Sequence, residues 1–181
     1  SLLTVCVPAA AEMSVYDELQ TQIEQIVGRI NGRFSRVNWA PVKFFFRALP
    51  FEEVVSLYTM ADVMWITPLR DGLNLVAKEY VAAQVLSGGR GVLVLSEFAG
   101  AAAELHGAVL TNPHDTADLT ARLYQAIAMN PAEAQSRLRE LFAIVEHNDI
   151  RMWGEAFIDA VRSSLAADEA AVVKQSEALA A

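Results

Sequence analysis

The fold is indicated most directly by residues 63–80, VMWITPLRDGLNLVAKEY, in which an apolar run, a loop and a helical pattern follow one another. The run at residues 63–67 is apolar at nearly every position, which is typical of a strand covered on both faces of a sheet. Gly72 allows the loop to turn tightly, and a helix is predicted from about residue 74 to residue 86. This stretch therefore predicts a strand, a loop and the crossover helix of a βαβ unit.

The rest of the chain repeats this alternation. Further β-rich runs at residues 2–7, 42–46, 92–95 and 108–111 are separated by longer segments of helical period. Helices are predicted at residues 51–60, in a short segment after residue 99, from residue 115 onward with a new helix opening at residue 131, and at residues 149–165. The pattern predicts a Rossmann-like α/β fold, in which a parallel sheet has helices on both faces.

The segment between the first two β-rich runs has its own helical pattern. Apolar side chains recur there at steps of three and four residues, which predicts one buried stripe made of Tyr16, Leu19, Ile23, Ile26 and Ile30. The pair Asn31-Gly32 predicts the end of this helix.

Size and composition suit one globular domain. The chain has 181 residues, of which 54% are hydrophobic and 20% are charged, and single domains commonly contain about 100 to 200 residues. We expect residues 1–165 to form one lobe. The small and polar residues 166–181 are expected to form a flexible tail, as chain termini often do.

Charge and cysteine content restrict the partners and the compartment. The chain has 14 Lys and Arg against 22 Asp and Glu, which argues against nucleic acid because phosphate binding uses basic surface. No apolar run reaches the roughly 18 residues that cross a bilayer, so no membrane partner is expected. Cys6 is the only cysteine, which suits a cytoplasmic location. The three histidines lack the spacing of a metal site, and neither a metal nor a cofactor is predicted.

The candidate site lies where the strand at residues 63–67 gives way to a helix. The unpaired N–H groups of Leu73 to Val76 at the helix start can hold a diphosphate without a cluster of lysines. Asp71 and Glu79 are eight residues apart in the sequence, a span of about 12 Å along a helix that matches a folded sugar nucleotide. A carboxylate accepts hydrogen bonds from paired hydroxyls, so Asp71 can hold the sugar and Glu79 the ribose.

A structural interpretation of these two carboxylates is also open at this point, and the spacing alone favours it. An Asp before a helix start is often a cap, and a Glu within a helix is most often solvated surface. A single glycine loop is a weak motif. The spacing of Asp71 and Glu79 therefore leaves both interpretations standing.

Four longer motifs carry a resemblance to a known family. They are TPLRDGLNLVAKEYVAAQ at residues 67–84, GVLVLSEFAGAAAEL at residues 91–105, GRINGRF at residues 28–34 and NDI-x-x-W at residues 148–153. In this order they resemble the family of trehalose-6-phosphate synthase and glucosylglycerol-phosphate synthase, and the similarity covers residues 2–162. Members of that family are retaining glycosyltransferases with two Rossmann-like lobes (the GT-B type) and an active site between the lobes.

The resemblance implies that this chain is the donor-binding lobe, incomplete at its N-terminus. It also implies a nucleotide sugar, ADP-glucose or UDP-glucose, as the ligand. The family's Arg and Lys on the nucleotide phosphates have no counterpart in this sequence. A phosphorylated acceptor would be bound by an N-terminal lobe that this sequence does not include.

The resemblance also implies roles for individual residues. The position of Asp71, the predicted catalytic residue, contacts hydroxyls of the donor glucose, and the backbone at Leu73 and Asn74 reaches the same sugar. The position of Glu79 holds the ribose, and the base lies near Val54. Gly72 completes the donor-binding loop, and the N–H groups of Leu75 and Val76 bind the diphosphate.

Within the family, FFFRALPFEEVV at residues 44–55 and PAAAEM at residues 8–13 favour the glucosylglycerol-phosphate synthase branch. That branch transfers glucose from ADP-glucose to glycerol 3-phosphate. The first alternative is trehalose-6-phosphate synthase, which uses UDP-glucose and glucose 6-phosphate. The second, from another class, is a catalytically silent module that binds a nucleotide sugar.

Overall fold

The computed structural model describes residues 1–7 and 14–179 of the chain, with side chains described for residues 1–7 and 16–165. The turn at residues 8–13, which favoured one branch of the family, lies outside the described residues. The chain divides into two compact units, Ser1–Val54 and Val55–Ala181. The single lobe expected at residues 1–165, with a flexible tail after it, stays a prediction.

Within its described residues, the first unit contains two parallel strands and a long helix. β1 (Leu2–Cys6) pairs in parallel with β2 (Val42–Phe46), so that Leu2 lies opposite Val42. α1 (Ser14–Phe34) lies between them in the chain, and α2 (Phe51–Met60) begins in this unit. Both strands and α2 occur where the sequence pattern predicted them.

The predicted end of α1 at Asn31-Gly32 is wrong, because the helix continues to Phe34. The Asn31 side chain exchanges two hydrogen bonds with the backbone at the start of β2. Its Nδ2 donates to the carbonyl oxygen of Val42 at 2.9 Å, and its Oδ1 accepts from the Val42 N–H at 3.1 Å. Asn31 therefore ties the helix to the strand instead of ending the helix.

The predicted buried stripe on α1 is also largely wrong. Tyr16, Leu19 and Ile26 are between 46% and 49% exposed, while Ile23 and Ile30 are half-buried. The physical reason is the size of the sheet in this unit. Two strands lie only about 5 Å apart, and this pair covers only part of a helix of 21 residues.

The second unit has a parallel sheet with helices around it. Within the described residues its strands are β3 (Val63–Ile66), β4 (Val92–Ser96) and β5 (Val109–Thr111), all parallel and in the order β3-β4-β5. Its α-helices are α3 (Leu75–Leu86), α4 (Thr116–Ile127), α5 (Pro131–His147) and α6 (Ile150–Leu179), and a short 3-10 helix spans Gly100–Ala103. The predicted α/β fold with parallel sheets flanked by helices is confirmed.

α6 is longer than the sequence pattern predicted. The expected end was near residue 165, whereas the helix continues to Leu179. The segment at residues 166–179 is rich in Ala and has no Gly or Pro, so its local propensity favours a continuing helix. Among the described residues, no helix is both long and apolar enough to pass through a membrane.

β4 lies in the middle of the sheet and is buried along its whole length. Val92 and Val94 belong to a cluster that includes Ala126 of α4. Leu93 and Leu95 point to the opposite face and are at most 1% exposed. The loops that follow β3 and β4 therefore begin at the end of a sheet that is packed on both faces.

A buried amide joins three parts of the second unit. Gln84 on α3 is 2% exposed, and its Nε2 donates to the carbonyl oxygens of Tyr58 at 2.6 Å and Ala61 at 3.0 Å. Its Oε1 accepts from the Gly91 N–H at 2.9 Å. The side chain therefore connects α3 to the end of α2 and to the start of β4.

Replacing this amide by an apolar side chain of similar size should destabilise the fold. We expect Gln84→Leu to lower the free energy of unfolding by about 2–3 kcal/mol, because the buried Gly91 N–H loses its partner. Gln125→Leu on the exposed face of α4 is the control and should change stability by less than about 0.5 kcal/mol. Urea unfolding measures the free energy of unfolding of both variants. Equal losses would contradict the stabilising role of the Gln84 hydrogen bonds.

Candidate functional site

The loop between β3 and α3 is folded around the Asp71 carboxylate. Oδ1 of Asp71 accepts hydrogen bonds from the N–H of Leu73 at 3.0 Å and of Asn74 at 2.8 Å. Oδ2 accepts from Nδ2 of Asn74 at 3.1 Å. The carboxylate therefore organises its own loop, although the N-cap of α3 is Asn74 and not Asp71.

Asn74 is the residue at which the loop becomes a helix. Its backbone has φ 54° and ψ 69°, in the left-handed region, which Asn tolerates better than most residues. Its Oδ1 accepts from the Ala77 N–H at 3.1 Å, which caps α3. The predicted start of α3 near residue 74 is confirmed.

The first turn of α3 contains N–H groups that have no hydrogen-bond acceptor among the described residues. Helix geometry gives the first N–H groups no carbonyl partner within the helix. Among the described residues neither Leu75 nor Val76 donates its N–H to an acceptor outside the helix. Both residues are exposed, at 57% and 40%. The positive end of the α3 dipole is thus open to an anion at these two positions.

Glu79 lies on the same helix and has a specific partner. The hydroxyl of Tyr58, a residue that is 7% exposed, donates to Oε2 of Glu79 at 3.0 Å. Burial, and next the hydrogen bond to Glu79, raise the pKa of the Tyr58 hydroxyl above its ordinary range. The hydroxyl stays protonated as a donor, and Glu79 keeps an exposed carboxylate with one oxygen fixed.

The loop after β4 is fastened to the loop that carries Asp71. The Asp71 N–H donates to the carbonyl oxygen of Phe98 at 3.3 Å, and the Gly100 N–H donates to the carbonyl oxygen of Asp71 at 2.9 Å. A Cβ at Gly100 would overlap the carbonyl oxygen of Gly72. The structure therefore makes the loop at residues 96–100 the support of the Asp71 loop.

Sequence reasoning missed a polar cluster around Glu104. Lys78 Nζ and Asn148 Nδ2 donate to the same oxygen, Oε2 of Glu104, at 3.0 and 2.9 Å. The Asn148 hydrogen bond and, after it, Lys78 hold the pKa of Glu104 below its ordinary value against an opposing effect of burial. Lys78 therefore has a structural partner in Glu104. The presence of Asn148 in a family motif was the one available signal.

Val54 is a further residue singled out from the sequence, and Arg70 directly precedes Asp71 in the chain. Val54 lies in α2 as the last residue of the first unit, and its expected contact with the base stays a prediction. Arg70 is exposed, and none of the ion pairs found between described residues includes it.

The fold and this loop define the class of protein. Ligands of open parallel α/β sheets bind beyond the carboxyl ends of the strands, which is where the Asp71 loop and the start of α3 lie. The architecture is that of a Rossmann-like lobe. The family model of glycosyltransferase family 20 matches residues 1–163, and the chain belongs to this family.

Individual relatives agree with this family. A glucosylglycerol-phosphate synthase from Pseudomonas anguilliseptica is 73% identical over 161 residues, which are 89% of this chain and 21% of the relative. The crystal structure of α,α-trehalose 6-phosphate synthase from Burkholderia multivorans matches with a TM-score of 0.83 at 42% identity, over 93% of this chain and 36% of that one. Trehalose-6-phosphate synthase from E. coli, bound with UDP-2-fluoro glucose, gives a TM-score of 0.81 at 38% identity, over 87% of this chain and 35% of that one. The chain thus spans between 21% and 36% of the length of these proteins.

The contact at Gly100 gives a test of how the two loops are held together. We expect Gly100→Ala to lower the free energy of unfolding by about 1–3 kcal/mol, because the new methyl group forces the Gly72 backbone to move. Gly154→Ala on α6 is the control, since a Cβ there meets no atom within 4 Å. Urea unfolding compares the two variants. A Gly100→Ala protein as stable as the wild type would show that the loops are not fixed by this contact.

Proposed function

We propose that this chain is the donor-binding part of a retaining glucosyltransferase that makes glucosylglycerol phosphate from ADP-glucose and glycerol 3-phosphate. The observation that carries the proposal is the 73% identity to a glucosylglycerol-phosphate synthase over 161 residues, a span long enough that it must include the loop between β3 and α3. The glycosyltransferase family is shared by all the relatives described above. We propose in addition the identity of the donor, the identity of the acceptor and the role of each site residue.

The start of α3 is the proposed diphosphate site. Leu75 and Val76 are exposed residues, and their N–H groups have no acceptor outside the helix within the described residues. A helix N-terminus of this kind favours a phosphate group through its N–H groups and its dipole. Gly72 adds no side chain to the loop beside it, so the sugar can approach the backbone closely.

Asp71 can serve both as the organiser of the loop and as a contact to glucose. An ionised carboxylate has about four acceptor positions, and three of them are used by Leu73 and Asn74. One position on Oδ2 remains for a hydroxyl of the donor sugar. A carboxylate fixed in this way also stabilises the positive charge that develops on the glucose ring during transfer.

The same hydrogen bonds bear on the expected sugar contacts of Leu73 and Asn74. Their N–H groups already donate to Oδ1 of Asp71. In the proposed complex they either share these bonds with a sugar hydroxyl or reach the sugar after the carboxylate turns. Glu79 holds the ribose hydroxyls, and Val54 lies near the base.

A second function is favoured by the structural comparison. The E. coli relative that resembles this chain at 38% identity is a trehalose-6-phosphate synthase bound with UDP-2-fluoro glucose. The same loop would then serve UDP-glucose, with glucose 6-phosphate as the acceptor. The diphosphate site is common to both donors, so the two functions differ at the base and at the acceptor.

The roles of the two carboxylates can be separated in the full-length protein. Asp71→Asn keeps an oxygen for the Leu73 and Asn74 N–H groups but removes the charge, so kcat should fall at least about tenfold while donor affinity changes little. Glu79→Gln should mainly raise the KM for the donor. Steady-state kinetics measures both. Unchanged kcat in Asp71→Asn would leave Asp71 with a purely structural role.

Donor preference tests the proposed function itself. The backbone groups at the start of α3 serve any nucleotide diphosphate, so discrimination must come from the base. The full-length protein should prefer ADP-glucose to UDP-glucose by at least about tenfold in kcat/KM, which corresponds to about 1.4 kcal/mol. The assay uses glycerol 3-phosphate and glucose 6-phosphate in parallel. A reversed preference would favour the trehalose-6-phosphate synthase function.

A further inference from the structure

Tyr58 is held rigidly from two sides. Its ring packs edge-on against Tyr80, with ring centroids 6.3 Å apart and planes at 83°. Its carbonyl oxygen accepts the 2.6 Å hydrogen bond from Gln84. A tyrosine fixed at both ring and backbone places its hydroxyl at a defined point next to α3.

That hydroxyl meets a carboxylate that is otherwise free to move. Glu79 is exposed, and an exposed glutamate samples several rotamers in solution. The 3.0 Å hydrogen bond from Tyr58 fixes Oε2. Oε1 and a second acceptor position on Oε2 remain for other donors. The carboxylate is therefore oriented and can still accept further hydrogen bonds.

We propose that Tyr58 is a positioning residue, which sets the Glu79 carboxylate in the orientation that accepts hydrogen bonds from the ribose hydroxyls of the donor nucleotide. This inference rests on the proposed role of Glu79. Orienting the carboxylate before binding lowers the entropic cost of the contact. Tyr58 thereby contributes to the selection of ribonucleotides without touching the ligand.

The bond from Tyr58 also satisfies a buried hydroxyl, and buried tyrosines usually need such a partner. Tyr80 offers a matched comparison. It is fully buried, and its hydroxyl donates to the carbonyl oxygen of Ala61 at 3.1 Å. Phe at either position keeps the ring and removes one hydroxyl, but only the change at Tyr58 releases Glu79.

The test measures how strongly binding depends on the ribose hydroxyls. Titration calorimetry on the full-length protein gives Kd values for ADP and 2′,3′-dideoxy-ADP, and for UDP and 2′,3′-dideoxy-UDP. The wild type should bind the ribonucleotide at least about tenfold more tightly than its dideoxy counterpart, as expected when a site built for a hydroxyl meets a ligand without it. Tyr58→Phe should reduce this ratio to about threefold or less, whereas Tyr80→Phe should leave it unchanged.

Two further variants separate this inference from the proposed function. Glu79→Gln should bring the ratio close to one, and adding Tyr58→Phe to it should change the ratio no further. A ratio retained in Glu79→Gln would overturn the ribose role of Glu79 itself. If Glu79→Gln removes the preference for the ribonucleotide but Tyr58→Phe keeps it, the positioning role of Tyr58 is wrong. The role is also wrong if Tyr80→Phe reduces the preference as much as Tyr58→Phe does. If the protein binds UDP and not ADP, the proposed donor is wrong. The Kd values for UDP and 2′,3′-dideoxy-UDP then test the role of Tyr58.

Discussion

Two backbone hydrogen bonds join the loop after β3 to the loop after β4, and the candidate site depends on them. They link Asp71 to Phe98 and to Gly100, and they form only because Gly100 has no Cβ to meet the Gly72 carbonyl group. Since β4 is packed on both faces, its following loop is a firm support. The loop that carries Asp71 is therefore held from outside by main-chain contacts and from within by the hydrogen bonds of the Asp71 carboxylate.

The Asp71 carboxylate organises the backbone ahead of α3, whereas the side chain of Asn74 caps the helix. The carboxylate accepts from Leu73 and Asn74, and this arrangement places Asn74 in the left-handed region and starts α3 at Leu75. The N–H groups that follow, at Leu75 and Val76, are the ones left open. Internal hydrogen bonds thus occupy the N–H groups of Leu73 and Asn74 and leave those of Leu75 and Val76 available.

The second layer of the site consists of pairings between distant parts of the chain. Glu79 receives a hydrogen bond from Tyr58, and its neighbour Lys78 pairs with Glu104, to which Asn148 also donates. Consecutive residues on α3 therefore face different partners, as expected from a rotation of about 100° per residue. One short helix both presents the candidate ligand groups and is anchored to the 3-10 helix region and to the end of α5.

The sequence by itself determined the strands and the start of α3, because these features depend on neighbouring residues and on local periodicity. It also determined the family, through motifs that run in order along the chain. Only the tertiary structure decided that Asn31 binds β2 instead of ending α1, that the apolar stripe of α1 is largely exposed, and that Tyr58 holds Glu79. The reason is physical. A local pattern fixes which face of a helix is apolar, but whether that face is covered, and which side chains meet, depends on how segments far apart in sequence pack together.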